Sequence, residues 1–417
     1  MKTKDRPLHF AGFDWAKTHH DVTVIDANGE IVVEFRFDHH ADGWRVCEEK
    51  LKPFASLAVA IEAGNIHAIE RLARMGYRVY VVHPKSSKAY RMRKQPTGSK
   101  TDKGDCLALA QALRFEGETW NEWSAPEPLS QELRTLCRDE LALIGQRTAL
   151  VNQLIHTLYD YYPTALEAFE DWTAPSAWAF VVQFPTPALL VQAGKRRWQN
   201  FLHAHRCYHE CNYEKRLELF AKAESFQGSD AMIAAKSTLA VALAKILQTL
   251  DAQLSRFRER IEDCFLRHPC RTIFASLPGA GPKLAPRLLA EMMCMPDCTA
   301  DPHWLQSQAG MAPVSYQSGQ VLVVYLRRHC NQFLRHAVHL WADQSRRASD
   351  WAQVYYRAHR AKGQSHACAL RCLGMRWLRI VSALVRNQKA YDAALHENNQ
   401  RKHGSWIAAL MTESGAA

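Results

Sequence analysis

The chain has 417 residues, 47% of them hydrophobic and 23% charged, enough apolar material to build two or three cored domains without disulfide or metal staples. Its net charge of +11 points to a polyanionic partner, with nucleic acid ahead of an acidic metabolite and a membrane surface as the competing reading. No apolar run reaches the ~20 residues of a bilayer span, so no membrane association is expected. Met1 to Pro7 lead straight into a strand-like segment without a secretory signal, which places the chain in a cytoplasm with reduced thiols.

In chain order, Leu8 to Trp15, His20 to Asp26 and Glu30 to Phe37 are short runs rich in Val, Ile and Phe, separated by turn-like residues, and predict a three-stranded meander. A helix over Ala41 to Leu51 follows, then a buried strand from Leu57 to Glu62, a helix from Ile69 to Met75 and a strand from Tyr77 to His83. Hairpins first and helix-linked strands afterwards is the element order of a ribonuclease H fold.

That order gives four acids a common address. Asp14 ends the first strand, Glu62 ends the fourth, and Asp102 with Asp105 opens a helix after the fifth. Residues three apart share a helix face, so the pair can serve one cation, although an acidic first turn is also what the helix dipole favours. Glu62 is the more informative, because an acid after Leu57-Ala58-Val59-Ala60-Ile61 suits a core poorly unless it has a partner. Oxygen-only ligands select Mg²⁺, with Mn²⁺ as an alternative, and two such ions about 4 Å apart serve phosphodiester cleavage. Lys85, Lys88, Arg91, Arg93, Lys94 and Lys100 lie between the fifth strand and this helix, as a phosphate-positioning rim or as a solvated basic loop.

After Pro126 and Pro128, leucines from Leu129 to Leu154 predict a long helix, and Leu243, Leu247, Leu250, Leu254, Phe257, Ile261 and Cys264 form a coiled-coil seam. An intramolecular hairpin and a dimer are both open readings of that seam. Between the two helices lies a segment with Trp172, Trp178, Trp198 and Lys195-Arg196-Arg197, to which the sequence assigns no chemistry. There His203, His205, Cys207, His209 and Cys211 are close enough in sequence for zinc, yet lack a Cys-x-x-Cys knuckle; soft side chains on a helix are the competing reading.

Beyond Pro269, Leu277-Pro278-Gly279-Ala280-Gly281-Pro282-Lys283 reads either as the hairpin of a helix-hairpin-helix DNA contact or as an ordinary turn into a helix. Gly310-Met311-Ala312-Pro313 then leads to Ser318-Gly319, with Arg327, Arg328 and Arg335 after it. Loop serines are usually turn formers, and nothing in the residues alone makes Ser318 a nucleophile.

As an ordered set these residues resemble the DEDD-type transposases of the IS-one-ten insertion sequences, kin of the Piv site-specific DNA invertases, over nearly the whole chain. Gly12-Phe13-Asp14-Trp15-Ala16-Lys17 is similar to the family's first motif, Ile61-Glu62-Ala63 to its second, and Lys100-Thr101-Asp102 with Asp105 to its third. Leu277 to Gly281, Gly310 to Pro313 with Ser318-Gly319, and Asn331, Leu334 and Arg335 resemble its C-terminal signatures. Cys106 stands where the family commonly has alanine. The resemblance implies an α/β plus all-α protein: a RuvC-like nuclease domain at 1–125, a helical coiled-coil linker with a Trp-rich insertion at 126–268, and a mainly helical transposase domain at 269–417.

It further implies that Asp14, Glu62, Asp102 and Asp105 hold Mg²⁺, and that Ser318 attacks the phosphodiester in a DNA recombinase. Gly279, Gly281, Lys283, Arg327, Arg328 and Arg335 join the rim residues as candidate nucleic-acid contacts. The implied partners are double-stranded donor and target DNA, a structured non-coding bridge RNA that selects both by base pairing, and further copies of the chain in a dimer or tetramer near the bacterial nucleoid. Two alternatives stay open: a RuvC-like structure-specific nuclease without serine chemistry, and a catalytically inactive RNA- and DNA-binding protein.

Overall fold

The computed structural model describes residues 7–54, 56–64, 66–94, 101–207, 218, 229–295 and 301–414. The chain divides into two compact units, Met1–Ala125 and Pro126–Ala417.

The first unit is a mixed five-stranded sheet in the order β3-β2-β1-β4-β5. β1 (His9–Trp15), β2 (His19–Asp26) and β3 (Ile31–Asp38) form the expected antiparallel meander. β4 (Leu57–Glu62) lies parallel to β1, and β5 (Arg78–Val82) parallel to β4. Parallel neighbours need crossovers, supplied by α1 (Ala41–Leu51) and α2 (Ile66–Arg74). Side chains alternate between the faces. Ala11, Phe13, Val22, Val24, Val59 and Ile61 form one core layer, and Phe10, Ile25, Ala58, Ala60, Tyr80 and Val82 form the other with α4 (Asp102–Glu116). The first part of the basic segment after β5 is itself a helix, α3 (Pro84–Lys94).

The second unit is mainly helical. α5 (Pro128–Tyr161) pairs with α9 (Asp230–Arg267), burying Leu133 and Leu154 of one and Leu243, Leu247, Leu254 and Ile261 of the other. The helices run antiparallel, because Glu132 meets Arg260, Glu140 meets Arg258, Arg147 meets Asp251 and Asp160 meets Lys236. Seam residues are thus buried within one chain. α6 (Pro163–Leu166), α7 (Pro175–Gln183) and α8 (Pro187–Ala204) form a small aromatic core with one end of this pair, and there Trp178 and Trp198 are fully buried. A second core gathers α10 (Arg271–Ala275), α11 (Gly281–Met293), α12 (Pro302–Gln308), α13 (Gln332–Ala348), α14 (Asp350–Ala361) and α15 (His366–Arg386), flanked by α16 (Ala393–Lys402) and α17 (Trp406–Ser414). Between α12 and α13 stands a two-stranded hairpin, β6 (Val314–Ser318) and β7 (Val321–Tyr325).

Candidate active site

Register and parity put the strand acids together. β1 and β4 are parallel and aligned from His9 opposite Leu57 to Phe13 opposite Ile61, so Asp14 and Glu62 end neighbouring strands on the same side of the sheet. That side is the one carrying Phe10, Ala58 and Ala60 under α4. The Trp15 indole donates to the Glu62 carbonyl at 3.1 Å and ties the two strand ends together.

α4 begins where its sequence asks it to. Thr101 caps it, its hydroxyl accepting from the Gly104 amide at 3.1 Å, and Asp102 and Asp105 occupy the first turn, where the helix dipole favours negative charge. Gly12 lets the helix come down onto β1, since a β-carbon there would sit 1.8 Å from the Cys106 carbonyl oxygen. The Cys106 thiol, fully buried beneath the acids, donates to the Asp21 carbonyl at 3.2 Å. Burial, then the nearby Asp14, hold that thiol well above the usual cysteine range.

Asp21 is the residue that sequence reasoning missed. It is the cross-strand partner of Asp14, so two acids sit directly opposite each other on one face, an arrangement that costs stability unless positive charge is near. Arg36 supplies that charge at Asp21, and a second arginine serves Asp105 on the helix. Arg36 on β3 grips Asp21 through Nε at 3.0 Å and Nη2 at 2.8 Å, and the same Nη2 reaches Asp102 at 2.9 Å. Arg91 on α3 donates to both Asp105 oxygens at 3.0 Å. The sequence His20-Asp21-Val22-Thr23-Val24 shows a carboxylate in a strand but not which face it takes; only the pairing of β2 with β1 sets that.

The four expected acids share one face and one end of the sheet, but not one coordination distance. Among the described residues, a group whose ligand atoms all lie within 4.8 Å of one another is His19, Asp21 and Asp102, which contains one of the four. Asp102 and Asp105 are each drawn to an arginine, which moderates repulsion between like charges. The donor set is nonetheless rich in hard oxygen ligands and suits a divalent cation of the Mg²⁺ or Mn²⁺ type.

The rim residues divide by role. Lys85 and Lys88 are exposed on α3, and Arg93 reaches Glu116 at 3.6 Å. Arg91, expected to face phosphate, is instead committed to Asp105 with only 18% of its side chain exposed. The Lys94 side chain and Lys100 lie outside the described residues.

In the second unit, Ser318 is exposed at the tip of the β6–β7 hairpin, whose two-residue turn uses Gly319 at φ 57°. The sequence reads Ser318 as a loop serine; the structure places it in a two-stranded ribbon whose Tyr316, Val321, Leu322 and Val324 are all more than half exposed. Arg328 is exposed nearby, while Arg327 turns back onto the Ala312 carbonyl and Arg335 onto the Arg327 carbonyl. Gly279 lies against the α13 backbone, 2.6 Å from the Gln344 carbonyl carbon were it to carry a β-carbon, and Trp341 donates to the Pro278 carbonyl. Packing within the domain claims Gly279, leaving Gly281 and Lys283 exposed at the start of α11.

Of the suggested zinc group, His203 and His205 end α8 exposed and Cys207 is buried with its thiol toward the His205 carbonyl. His209 and Cys211 lie outside the described residues.

Residues 11–163 match a family model described as a transposase, of the DEDD type of IS110 elements, and residues 271–357 match one described as transposase IS116/IS110/IS902 family. The mini-circle protein of IS117 from Streptomyces coelicolor, named as a transposase, is 29% identical over 92% of this chain and 95% of its own length. An uncharacterized 44.8 kDa protein of the insertion element IS116 from Streptomyces clavuligerus is 24% identical over 92% and 96%. An uncharacterized 42 kDa protein of IS900 from Mycobacterium paratuberculosis is 27% identical over 71% and 73%.

Proposed function

We propose that the chain is an insertion-sequence transposase of the IS110/IS116 family, a reading its matches to both family models support, and that it excises and inserts its element by a metal-dependent serine recombination. The observation that carries this reading is the common sheet face of Asp14, Glu62, Asp102 and Asp105, reached by β1, β4 and α4. In this reading the first unit is RuvC-like, and these acids hold Mg²⁺. Bound there, the ion supplies charge stabilisation at the reacting phosphate. The carboxylates fix its place, and Lys85 and Lys88 hold the DNA backbone.

Ser318 is the nucleophile. Its Oγ forms a bond to phosphorus as one P–O bond to deoxyribose breaks, and the departing strand end leaves as a hydroxyl that takes up a proton. A hydroxyl from another strand then attacks the phosphoserine, restores the phosphodiester and returns the serine. Exposure of Ser318 on a projecting hairpin supports this role, because a large double-stranded substrate can reach it. Carboxylates and serine come together on donor and target DNA within a homo-oligomer, a dimer or tetramer.

A structured bridge RNA transcribed from the element chooses both DNAs by base pairing. The protein meets that RNA through backbone and shape contacts, which suits its net charge of +11. The described residues include no helix long and apolar enough to cross a membrane, and a place in the cytoplasm at the nucleoid fits the reading.

The test combines purified protein, Mg²⁺, the transcript flanking the element and labelled junction DNA, and compares wild type with Ser318→Ala on denaturing gels. A covalent protein–DNA adduct in the wild type alone is expected. Metal-dependent cutting without adduct in both proteins would replace the reading with a RuvC-like nuclease. Binding without cutting in both would make the protein a nucleic-acid binder.

A further inference from the structure

Two links run side by side from β2 across β3 to the first turn of α4. In the first, Asp21 faces Arg36 in the β2–β3 register, and Arg36 reaches Asp102. In the second, Thr23 faces Glu34 in the same register, the Thr23 hydroxyl donates to Glu34, and Glu34 receives the Lys103 ammonium at 2.8 Å. The links differ in what they hold. Lys103 fastens the helix, whereas Arg36 fastens the one carboxylate on that turn which points at His19 and Asp21.

The Arg36–Asp102 contact adds little stability. Arg36 and Asp102 are 52% and 45% exposed, and solvent screens an ion pair of that exposure. What it does supply is direction. Asp21 is only 7% exposed in its side chain and takes the guanidinium edge-on through Nε and Nη2, a fork that fixes the plane of the group. Nη2 then holds Oδ2 of Asp102 at 2.9 Å. A carboxylate anchored by one oxygen presents the other in a set direction.

We propose that Arg36, gripped by Asp21, is a positioning residue for Asp102, aiming its carboxylate for the divalent cation. The inference rests on the metal role assigned above to Asp102. It gives work to the buried Asp21, which the four-acid scheme leaves unused. It also explains why a cation can share Asp102 with an arginine: the guanidinium takes one oxygen of the carboxylate and is itself anchored elsewhere. Partners that orient metal-binding carboxylates typically change metal affinity by about 10- to 100-fold when removed.

The experiment titrates Mn²⁺ into the full chain without nucleic acid, following free Mn²⁺ by electron paramagnetic resonance. Arg36→Ala is expected to bind about 10- to 100-fold more weakly than wild type. Arg36→Lys recovers part of the loss, since lysine reaches a carboxylate as a point charge without the fork. Asp21→Asn, which loosens the grip without removing Arg36, shifts affinity in the same direction, and it carries the test if Arg36→Ala fails to fold. Lys103→Ala stays within a few-fold of wild type. Unchanged or tighter binding by Arg36→Ala and Asp21→Asn overturns the proposal, as does an equal loss in Lys103→Ala, which would make attachment of the helix the cause. Asp102→Asn separates the two levels: if it binds Mn²⁺ as wild type does, the metal role of Asp102 falls and this proposal falls with it.

Discussion

Gly12 on β1 and Cys106 on α4 meet backbone to backbone, so closely that a β-carbon at Gly12 would lie 1.8 Å from the Cys106 carbonyl oxygen and 3.0 Å from the Ala110 amide. This approach sets how near Asp102 and Asp105 come to the strand acids, because α4 is rigid and its first turn carries both. Gly12→Ala therefore forces the helix away from the sheet. Overpacking of this kind costs about 1–3 kcal/mol or more, to be read as a lower urea midpoint for the first unit, and Mn²⁺ binding should weaken with it. Wild-type stability and Mn²⁺ affinity in Gly12→Ala would show that the helix can lie further out without consequence.

Among the described ion pairs at the site, Arg91 with Asp105 is the most enclosed, 18% and 10% exposed in their side chains. Taking away one partner of a buried pair leaves the other charge uncompensated, at a cost of about 3–5 kcal/mol when burial is complete. Arg91→Ala should approach the lower end of that range. A cation that binds near Asp105 replaces part of the lost charge, so Mn²⁺ should raise the melting temperature of Arg91→Ala by more than it raises that of wild type. Equal metal-induced shifts in both proteins would argue that Asp105 lies outside the cation's reach.

His20 gives the first unit a pH dependence of definite sign. It is fully buried among Phe13, Phe37 and Trp44, with Nε2 against His39 Nδ1 at 2.7 Å. Burial first, then the neighbouring His39 and His19, lower its pKa from 6.5 to about 4, while Asp21 acts in the opposite direction. The unfolded chain then binds this proton more readily than the folded one. Its contribution is complete above pH ~6.5 and is lost as pH falls toward 4. In His20→Phe, which keeps a ring in the cluster but cannot titrate, urea stability should fall less steeply than in wild type between pH 6.5 and 4.5. Parallel curves would place the acid sensitivity in other groups.

The first unit was legible because its elements obey local rules. Alternating apolar runs give β1 to β5 within a residue or two, and Asp102 with Asp105 marks the start of α4. The ends of those strands carried the acids into view. Asp21 was not legible, because nothing local distinguishes an acid in β2 from a solvent-facing one until the β1–β2 register sets it opposite Asp14. Arg91 was misread for a related reason. A basic residue in a basic segment looks like a phosphate contact until the α3–α4 packing turns it onto Asp105. Gly279 shows the same limit in the second unit, where a glycine that could suit a phosphate instead admits the backbone of α13.

The tryptophans between the two long helices are the last case, and here charge and packing can be separated. Trp178 and Trp198 are fully buried, and Trp198 stacks on Phe201 with ring centroids 5.7 Å apart. Lys195, Arg196 and Arg197, immediately before Trp198, are exposed. A base cannot stack on a ring already enclosed by Phe180, Phe184 and Phe201, so these rings build a core, and the three exposed cations beside it are candidate contacts with nucleic acid. Trp178→Ala should cost about 3–5 kcal/mol of the second unit's stability, while Trp198→Phe should leave RNA and DNA affinity unchanged. Replacing Lys195, Arg196 and Arg197 together by alanine should weaken binding and reduce the slope of log K against log salt by up to about 2–3, without moving the melting temperature. The reverse pattern, affinity lost in Trp198→Phe and a salt slope untouched by the triple replacement, would mean that the aromatic core opens to receive a base.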